Sequence, residues 1–263
     1  MFSIITIPEF KNLISKSINI SFDKVNKSIE NSWEGKSKRT SVEVELRLRY
    51  LGFTEYQRIV NWLNKSKDNF SEVSSSKTID YIHKKVRYTV RGDEITAIVK
   101  KETVAKSDDV ELDTRLSVNI EKSLKIDPDL THDDVKNQAE YFRIKDRKSY
   151  TFQNIIRIDV TEVSSEERGK MKYSYECEIE LLKIAETGEV DETSKDVLSS
   201  FLFELMKRRQ NSENMYSQHK LRDMIQTLNN NLEQEDSREG LSYKFLAPAR
   251  NLKYPDIVTG GLI

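Results

Sequence analysis

The sequence predicts an α+β fold in which an antiparallel β-barrel of about eight strands closes on itself and is braced by helices. Three observations carry this expectation. Residues 42–49 and the stretch from 79 to 183 alternate apolar and polar residues with period two, as strands do. Within each alternating segment the charges share one face, with carboxylates on some segments and cations on others. Helical spacing of apolar residues appears before, between and after these segments. A sheet needs only one apolar face to bury against helices. If it closes with that face outward, every charged row points into a lumen.

Composition narrows the class. The chain has 263 residues, 37 % hydrophobic and 33 % charged, enough for one large domain or two small ones with a real core. Lys and Arg number 43 against 44 Asp and Glu, a net charge of -1, so a basic nucleic-acid coat is excluded. A single cysteine, Cys177, excludes a disulfide-stapled fold. The apolar start, Met1 to Ile7, has no preceding basic residue and meets Pro8, unlike a signal peptide. No apolar run approaches the span of a bilayer. The expectation is a cytoplasmic protein.

Taken in order, Phe10, Leu13, Ile14 and Ile18 mark a short amphipathic helix, and the polar residues 26–40 a loop. Thr54-Glu55-Tyr56-Gln57 resembles a capping box and opens a helix burying Tyr56, Ile59, Val60 and Leu63. Residues 64–78, rich in Ser and Lys, read as a mobile segment. Gly92-Asp93 is a two-residue hairpin turn. Residues 127–140 form an acidic surface excursion around Pro128. Thr193 or Ser194 caps a helix carrying Val197, Leu198, Phe201, Leu202, Leu205 and Met206, which ends in Lys207-Arg208-Arg209, the favourable sign for a C-terminus. Met215 to Leu232 suit one more helix, and the tail from Leu246 is broken by Pro248, Pro255 and Gly260-Gly261.

The charged faces carry the chemistry. In residues 42–49 the even positions are aliphatic and the odd ones are Glu43, Glu45, Arg47 and Arg49. Glu43 and Glu45 therefore share a face about 7 Å apart. Glu176, Glu178 and Glu180 share another face, opposite Tyr175, Cys177, Ile179 and Leu181. Three successive carboxylates repel one another and call for facing cations. Cations appear as Arg143, Lys145 and Arg147 on one strand and as Arg87 and Arg91 beside Thr89 on another. Arg157, Asp159 and Thr161 share a face, as do Arg115, Ser117, Asn119 and Glu121. At Lys100-Lys101 the register is open, so either lysine can point inward. One such strand alone is accounted for by a solvated outer face. Together they point to a lumen that binds a divalent cation through carboxylates and a polyanion through Arg and Lys. Magnesium or manganese with a phosphate chain is the natural ligand. P-loop, zinc-protease and Cys-x-x-Cys signatures are absent. His83, His132 and His219 read as surface residues and Trp33 and Trp62 as packing residues.

Glu43-Val-Glu45-Leu-Arg47 and Glu176-Cys-Glu178-Ile-Glu180 resemble the two glutamate motifs of the triphosphate tunnel metalloenzymes. Arg143-Ile-Lys145-Asp-Arg147 and Arg157-Ile-Asp159-Val-Thr161 resemble the basic strand and the Arg-x-Asp strand of the RNA triphosphatase branch, which serves mRNA capping in fungi, large DNA viruses and yeast cytoplasmic linear plasmids. The resemblance covers residues 40–182 with the motifs in order. It implies that Glu43, Glu45 and Glu180 bind Mg²⁺ or Mn²⁺ and that Glu121 and Glu178 orient the attacking water. It implies that Arg87, Lys145 and Arg147 grip the γ-phosphate, with Arg143, Arg157 and Lys100 or Lys101 assisting. Asp159, Glu176 and Arg47 support these groups. The implied function is a metal-dependent RNA 5′-triphosphatase that takes 5′-triphosphate RNA and, in vitro, nucleoside triphosphates. The alternatives are an inorganic triphosphatase, polyphosphatase or nucleoside triphosphatase of the same tunnel, or a non-catalytic phosphate-binding domain. The tail from Ala249 to Gly261 is similar to the segment leading into a capping guanylyltransferase. The expected organisation is therefore a tunnel domain over residues 1–240 and a linker over 241–263 toward a guanylyltransferase, with a methyltransferase as a further candidate partner domain.

Overall fold

The computed structural model describes residues 40–109, 112–167, 170–182 and 192–212, together with 217, 223 and 226–227. The elements are β1 (Thr40–Leu48), α1 (Phe53–Lys65), β2 (Glu72–His83), β3 (Val86–Arg91), β4 (Glu94–Asp109), β5 (Thr114–Ser123), α2 (His132–Gln138), β6 (Tyr141–Phe152), β7 (Ile156–Glu167), β8 (Lys170–Leu181) and α3 (Glu192–Gln210). The strands close into one barrel in the order β1-β5-β4-β3-β2-β6-β7-β8. Every neighbouring pair is antiparallel. Among the described residues no helix is long and apolar enough to cross a membrane.

The main core lies outside the barrel. Val44, Leu46 and Leu48 of β1, Leu116 and Val118 of β5, Ile156, Ile158 and Val160 of β7, and Cys177, Ile179 and Leu181 of β8 form one buried cluster. Ile59, Val60 and Leu63 of α1 and Leu198, Leu202, Leu205 and Met206 of α3 cover it. Each such aliphatic, taken fully out of water, contributes about 1.5–3 kcal/mol. This burial fixes the barrel inside out, because alternate residues of the same strands must then face the lumen. A smaller cluster joins Tyr81 and Val90 of β2 and β3 to Val135 of α2, with Leu130 and Phe142 against it.

Several local expectations change. The stretch 64–78 is not loose: a short 3₁₀ turn over Lys67–Asn69 leads into β2. Residues 72–82 of β2 pair with β6, so Ser74, Ser75 and Ser76 are held by backbone hydrogen bonding, not by their own preference for strand. The cap of α1 is Gly52, not Thr54; its N–H donates to the Glu55 carboxylate at 2.7 Å. Thr193 and Ser194 lie inside α3, which begins at Glu192. The excursion 127–140 contains α2, capped by Thr131, whose hydroxyl accepts from the Asp134 N–H at 3.2 Å. His132 is exposed as expected but also meets Tyr81 Oη at 2.8 Å. The turn at Gly92-Asp93 is present, with Gly92 at φ 56°. The expected helices at 10–18 and 215–232, the loop 26–40, Trp33, His219 and the tail fall wholly or largely outside the described residues.

Candidate active site

The lumen holds a cavity of about 470 Å³ whose lining comes from all eight strands. Glu43, Glu45, Arg47, Arg87, Glu121, Arg143, Lys145, Arg147, Arg157, Asp159, Glu176, Glu178 and Glu180 all face it. Every site residue expected from sequence is thus brought to one place, apart from Lys100 and Lys101, whose side chains lie outside the described residues. In register Lys100 stands opposite Glu121, and the ladder slips immediately after it. Arg49 departs from its expected row: β1 stops at Leu48, and Arg49 stands at the rim, 3.7 Å from Asp108.

Strand register explains the grouping. Glu45 and Arg47 of β1 stand opposite Glu180 and Glu178 of β8, and β8 in turn sets Glu180 opposite Arg157 and Glu178 opposite Asp159 of β7. Arg47 Nε donates to Glu45 Oε1 at 3.2 Å, its Nη1 lies 3.7 Å from Glu176, and its Nη2 donates to Glu178. Arg157 Nε donates to Asp159 at 3.2 Å and its Nη2 to Glu180. Arg147 Nη1 donates to Asp159 Oδ2 at 3.1 Å and its Nε to Thr161 at 3.3 Å, while its Nη2 lies 3.8 Å from Glu178. The facing cations that the Glu row requires are therefore Arg47, Arg147 and Arg157. Arg87 meets Glu121 at 3.5 Å.

One residue of the site was missed in the sequence. Asp80 is 2 % exposed and lines the cavity. Lys145 Nζ lies 2.8 Å from its Oδ2, Arg143 Nη2 donates to the same oxygen at 3.3 Å, and Thr89 Oγ1 donates to Oδ1 at 2.8 Å. Thr78-Ile79-Asp80-Tyr81-Ile82 does alternate, so the signal existed. The Ser- and Lys-rich run before it masked the strand.

Burial and charge set the protonation of these groups. Burial, then the charges of Glu178 and Glu43, push Glu45 up to about 7 against the pull of Arg47. Burial also raises Glu180; Arg157 opposes this, while Glu43 and Asp159 reinforce it. Burial works against the charge on Arg47, but the carboxylates of Glu178, Glu45 and Glu176 outweigh it and hold the guanidinium above its ordinary value. Burial opposes ionisation of Asp80 as well, yet Lys145 and Thr89 keep it below the usual carboxylate range. Cys177 is fully buried on the outer face, and burial pushes its thiol far up, so it is no nucleophile.

The donor chemistry for a hard divalent cation is present. Glu43, Glu45 and Glu180 supply carboxylate oxygens from two adjacent strands, and burial first, then neighbouring carboxylates, make Glu45 and Glu180 hold protons more tightly than usual. Among the described residues no three acidic, His or Cys side chains are drawn together as a ready ligand set; Arg47 and Arg157 hold Glu45 and Glu180 instead. The same lumen suits a polyanion. Ten basic and eight acidic side chains line it among the described residues, and the shielded Nε of Arg143 has no acceptor.

The family described as "mRNA capping enzyme, beta chain" matches residues 10–233. No curated protein matches the sequence. The RNA triphosphatase domain of the trifunctional mimivirus mRNA capping enzyme is similar in fold, with a TM-score of 0.50 at 15 % identity over 72 % of this chain and 95 % of that one. The Pct1 RNA triphosphatase of S. pombe aligns with a TM-score of 0.47 at 15 % identity, over 70 % of this chain and 92 % of that one.

Proposed function

The chain belongs to the mRNA triphosphatase family, the beta chain of mRNA capping enzymes, and from that premise we propose how its lumen carries out the reaction. The activity is that of an RNA 5′-triphosphatase in mRNA capping. The observation that supports the residue roles is that one closed barrel turns the Glu row of β1 and β8 and the cations of β3, β6 and β7 into the same lumen.

The proposed cation is Mg²⁺ or Mn²⁺, held by Glu43, Glu45 and Glu180. Lumen charge favours this reading: the surplus of two cations is smaller than the negative charge a triphosphate end brings. When bound, the metal ion neutralises charge on the phosphate oxygens and polarises the phosphorus. Lys145, Arg147 and Arg87 hold the γ-phosphate, and Arg143 and Arg157 assist. Asp159 orients Arg147 and Arg157, which both bond to it. Glu178 and Glu121 orient a water and accept its proton as its oxygen attacks the γ-phosphorus. The β–γ bond breaks, inorganic phosphate leaves, and the RNA keeps a 5′-diphosphate end. No covalent nucleophile is needed, since positioning and electrostatics supply most of the acceleration in phosphoryl transfer.

The proposal extends to location and organisation. A cytoplasmic site of action and a linker role for residues 241–263 toward a guanylyltransferase rest on the single-cysteine composition and on the Ala249–Gly261 resemblance. The size of the native gene product on an immunoblot tests the fusion.

The test of the activity compares γ-phosphate release from triphosphate-ended RNA, ATP and tripolyphosphate, with Mg²⁺, Mn²⁺ or excess EDTA. Release from RNA that EDTA abolishes is the expected result. Changing Glu43, Glu45 or Glu180 to Ala should cut the rate by about 10²-fold or more with the fold retained. Full activity in EDTA sinks the metal reading, and rapid tripolyphosphate cleavage with inert RNA sinks the capping role.

A further inference from the structure

The two mouths of the barrel differ in charge. At the end where β1 exits and β4 turns into β5, the lining holds Lys85, Lys106 and Arg115 against Glu176, with Arg49 and Asp108 at the rim, a surplus of two cations. At the other end the lining holds Glu43 and Glu121 near Arg91 and Arg157. A polyanionic strand is drawn to the first mouth.

That mouth carries an unusual residue. Tyr50 is 67 % exposed, the most exposed large apolar side chain among the described residues. Its backbone is at φ 56°, a conformation that a bulky residue adopts only where the surroundings impose it. The surroundings do so from beneath. Arg209 of α3, 2 % exposed, donates from Nη2 to the carbonyl oxygens of Arg49 at 2.9 Å and Tyr50 at 3.4 Å. Its Nε donates to Glu55 of α1 at 3.0 Å, and Arg49 N–H donates to the Asp113 carbonyl at 2.7 Å. Above, the Arg49 guanidinium lies 4.7 Å from the centre of the Tyr50 ring and also bonds its hydroxyl. Arg49 reaches Asp108, which accepts from Arg115 at 2.6 Å, so the ring is tied to the lumen lining. A rigid turn thus presents an aromatic face and a guanidinium at the cationic mouth of a phosphate tunnel.

We propose that Tyr50, with Arg49, is a stacking platform for the first nucleobases of the RNA whose triphosphate occupies the lumen. This rests on the RNA triphosphatase reading and deepens it. Aromatic stacking is sequence-tolerant because every base has a π-face. The lining beyond it recognises phosphate alone, so Tyr50 is what separates an RNA end from an inorganic phosphate chain.

The experiment compares wild type with Tyr50→Asn, which tolerates positive φ, and with Tyr50→Trp. Tyr50→Asn should raise KM for a triphosphate-ended oligoribonucleotide by about five-fold or more. Its kcat, its kinetics on tripolyphosphate and its melting temperature should stay at wild-type values, and Tyr50→Trp should restore the RNA KM. A second readout needs no turnover: 2-aminopurine at the first nucleotide, in EDTA, should be quenched by wild type and by Tyr50→Trp but not by Tyr50→Asn. Wild-type cleavage of RNA with an unchanged KM in Tyr50→Asn overturns the platform alone. Equal losses on RNA and tripolyphosphate overturn it too, as a structural effect. A wild type that cleaves tripolyphosphate but not RNA overturns the RNA reading, and the platform with it.

Discussion

At the residue scale, Asp80 places two cations of the proposed phosphate-binding set on one carboxylate oxygen. Lys145 is buried at 8 % exposure with its Nζ 2.8 Å from that carboxylate, so removing the partner leaves a buried ion pair broken. Asp80→Ala should therefore lower the melting temperature and let the lysine move. A displacement of about 1 Å costs on the order of 10²-fold in rate, and kcat/KM should fall by about that much on RNA and tripolyphosphate alike. Wild-type turnover in this variant would show that Lys145 is positioned by something else. Glu45 gives a pH signature. With its carboxyl raised from 4.5 to about 7, the folded chain keeps a proton that the unfolded chain has released across that interval. The folded state binds more protons there, so this group makes the metal-free protein less stable as pH rises from 4.5 to 7. Asp80, lowered instead, contributes stability above its ordinary value and loses it in more acid solution, outside that window. Melting temperatures of the EDTA-treated protein between pH 4.5 and 7 should fall less steeply in Glu45→Gln than in wild type. Parallel slopes refute the assignment.

At the scale of elements, legibility followed the strictness of alternation. In residues 42–48 of β1, 156–161 of β7 and 170–181 of β8 every second residue is charged or polar and the others are apolar, and Arg143, Lys145 and Arg147 share one row of β6, so the faces could be read directly. The pairing of Glu45 with Glu180 and of Arg47 with Glu178 could not, because it depends on which strands become neighbours. The first half of β2 was illegible for a related reason: its Ser-rich composition looks like a loop, and only β6 alongside makes it a strand. Lys84 and Lys85 form the β2–β3 turn at φ 45° and 69° without the Asn or Gly that usually announces such a turn. The cap of α1 was misplaced by two residues, since Gly52 offers no side chain to mark its role. Arg209 was read only as a favourable charge at the end of α3. It is a buried bridge from α3 to Glu55 of α1 and to the β1 exit, with Asp113 at 3.9 Å. Removing one partner of a buried ion pair costs about 3–5 kcal/mol. Arg209→Ala should thus melt well below wild type, by calorimetry, while tripolyphosphate turnover per folded molecule stays unchanged, because the bridge lies outside the lumen. An unshifted melting temperature excludes the bridge as a structural element.

At the scale of the whole molecule, closure of the barrel decides what can react. With the apolar core outside and all eight strands hydrogen-bonded to two neighbours, the inner charges have no open groove through which a nucleic-acid backbone could lie lengthwise. A cavity of about 470 Å³ suits a chain end, and the Arg and Lys side chains proposed to bind there would recognise phosphate, not base edges. Transcripts differing in their first nucleotides should therefore be cleaved at rates within a few-fold of one another. A circularised transcript, which has the same internal phosphates and no 5′ end, should bind weakly and lose no phosphate. The proposed residue roles also predict which bond breaks. Lys145 and Arg147 sit on one strand with Glu178 facing Arg147 at 3.8 Å, so a phosphate held by these cations, as proposed, lies next to the carboxylate proposed to orient the water. On that proposal the terminal phosphorus is attacked and the leaving group is the whole RNA diphosphate. Thin-layer or mass analysis of a γ-labelled transcript should show inorganic phosphate and a 5′-diphosphate end in equal amounts. Pyrophosphate with a monophosphate end would mean that the chain enters one phosphate deeper than Lys145 and Arg147 allow, and the assignment of the γ-phosphate site to β6 would fall.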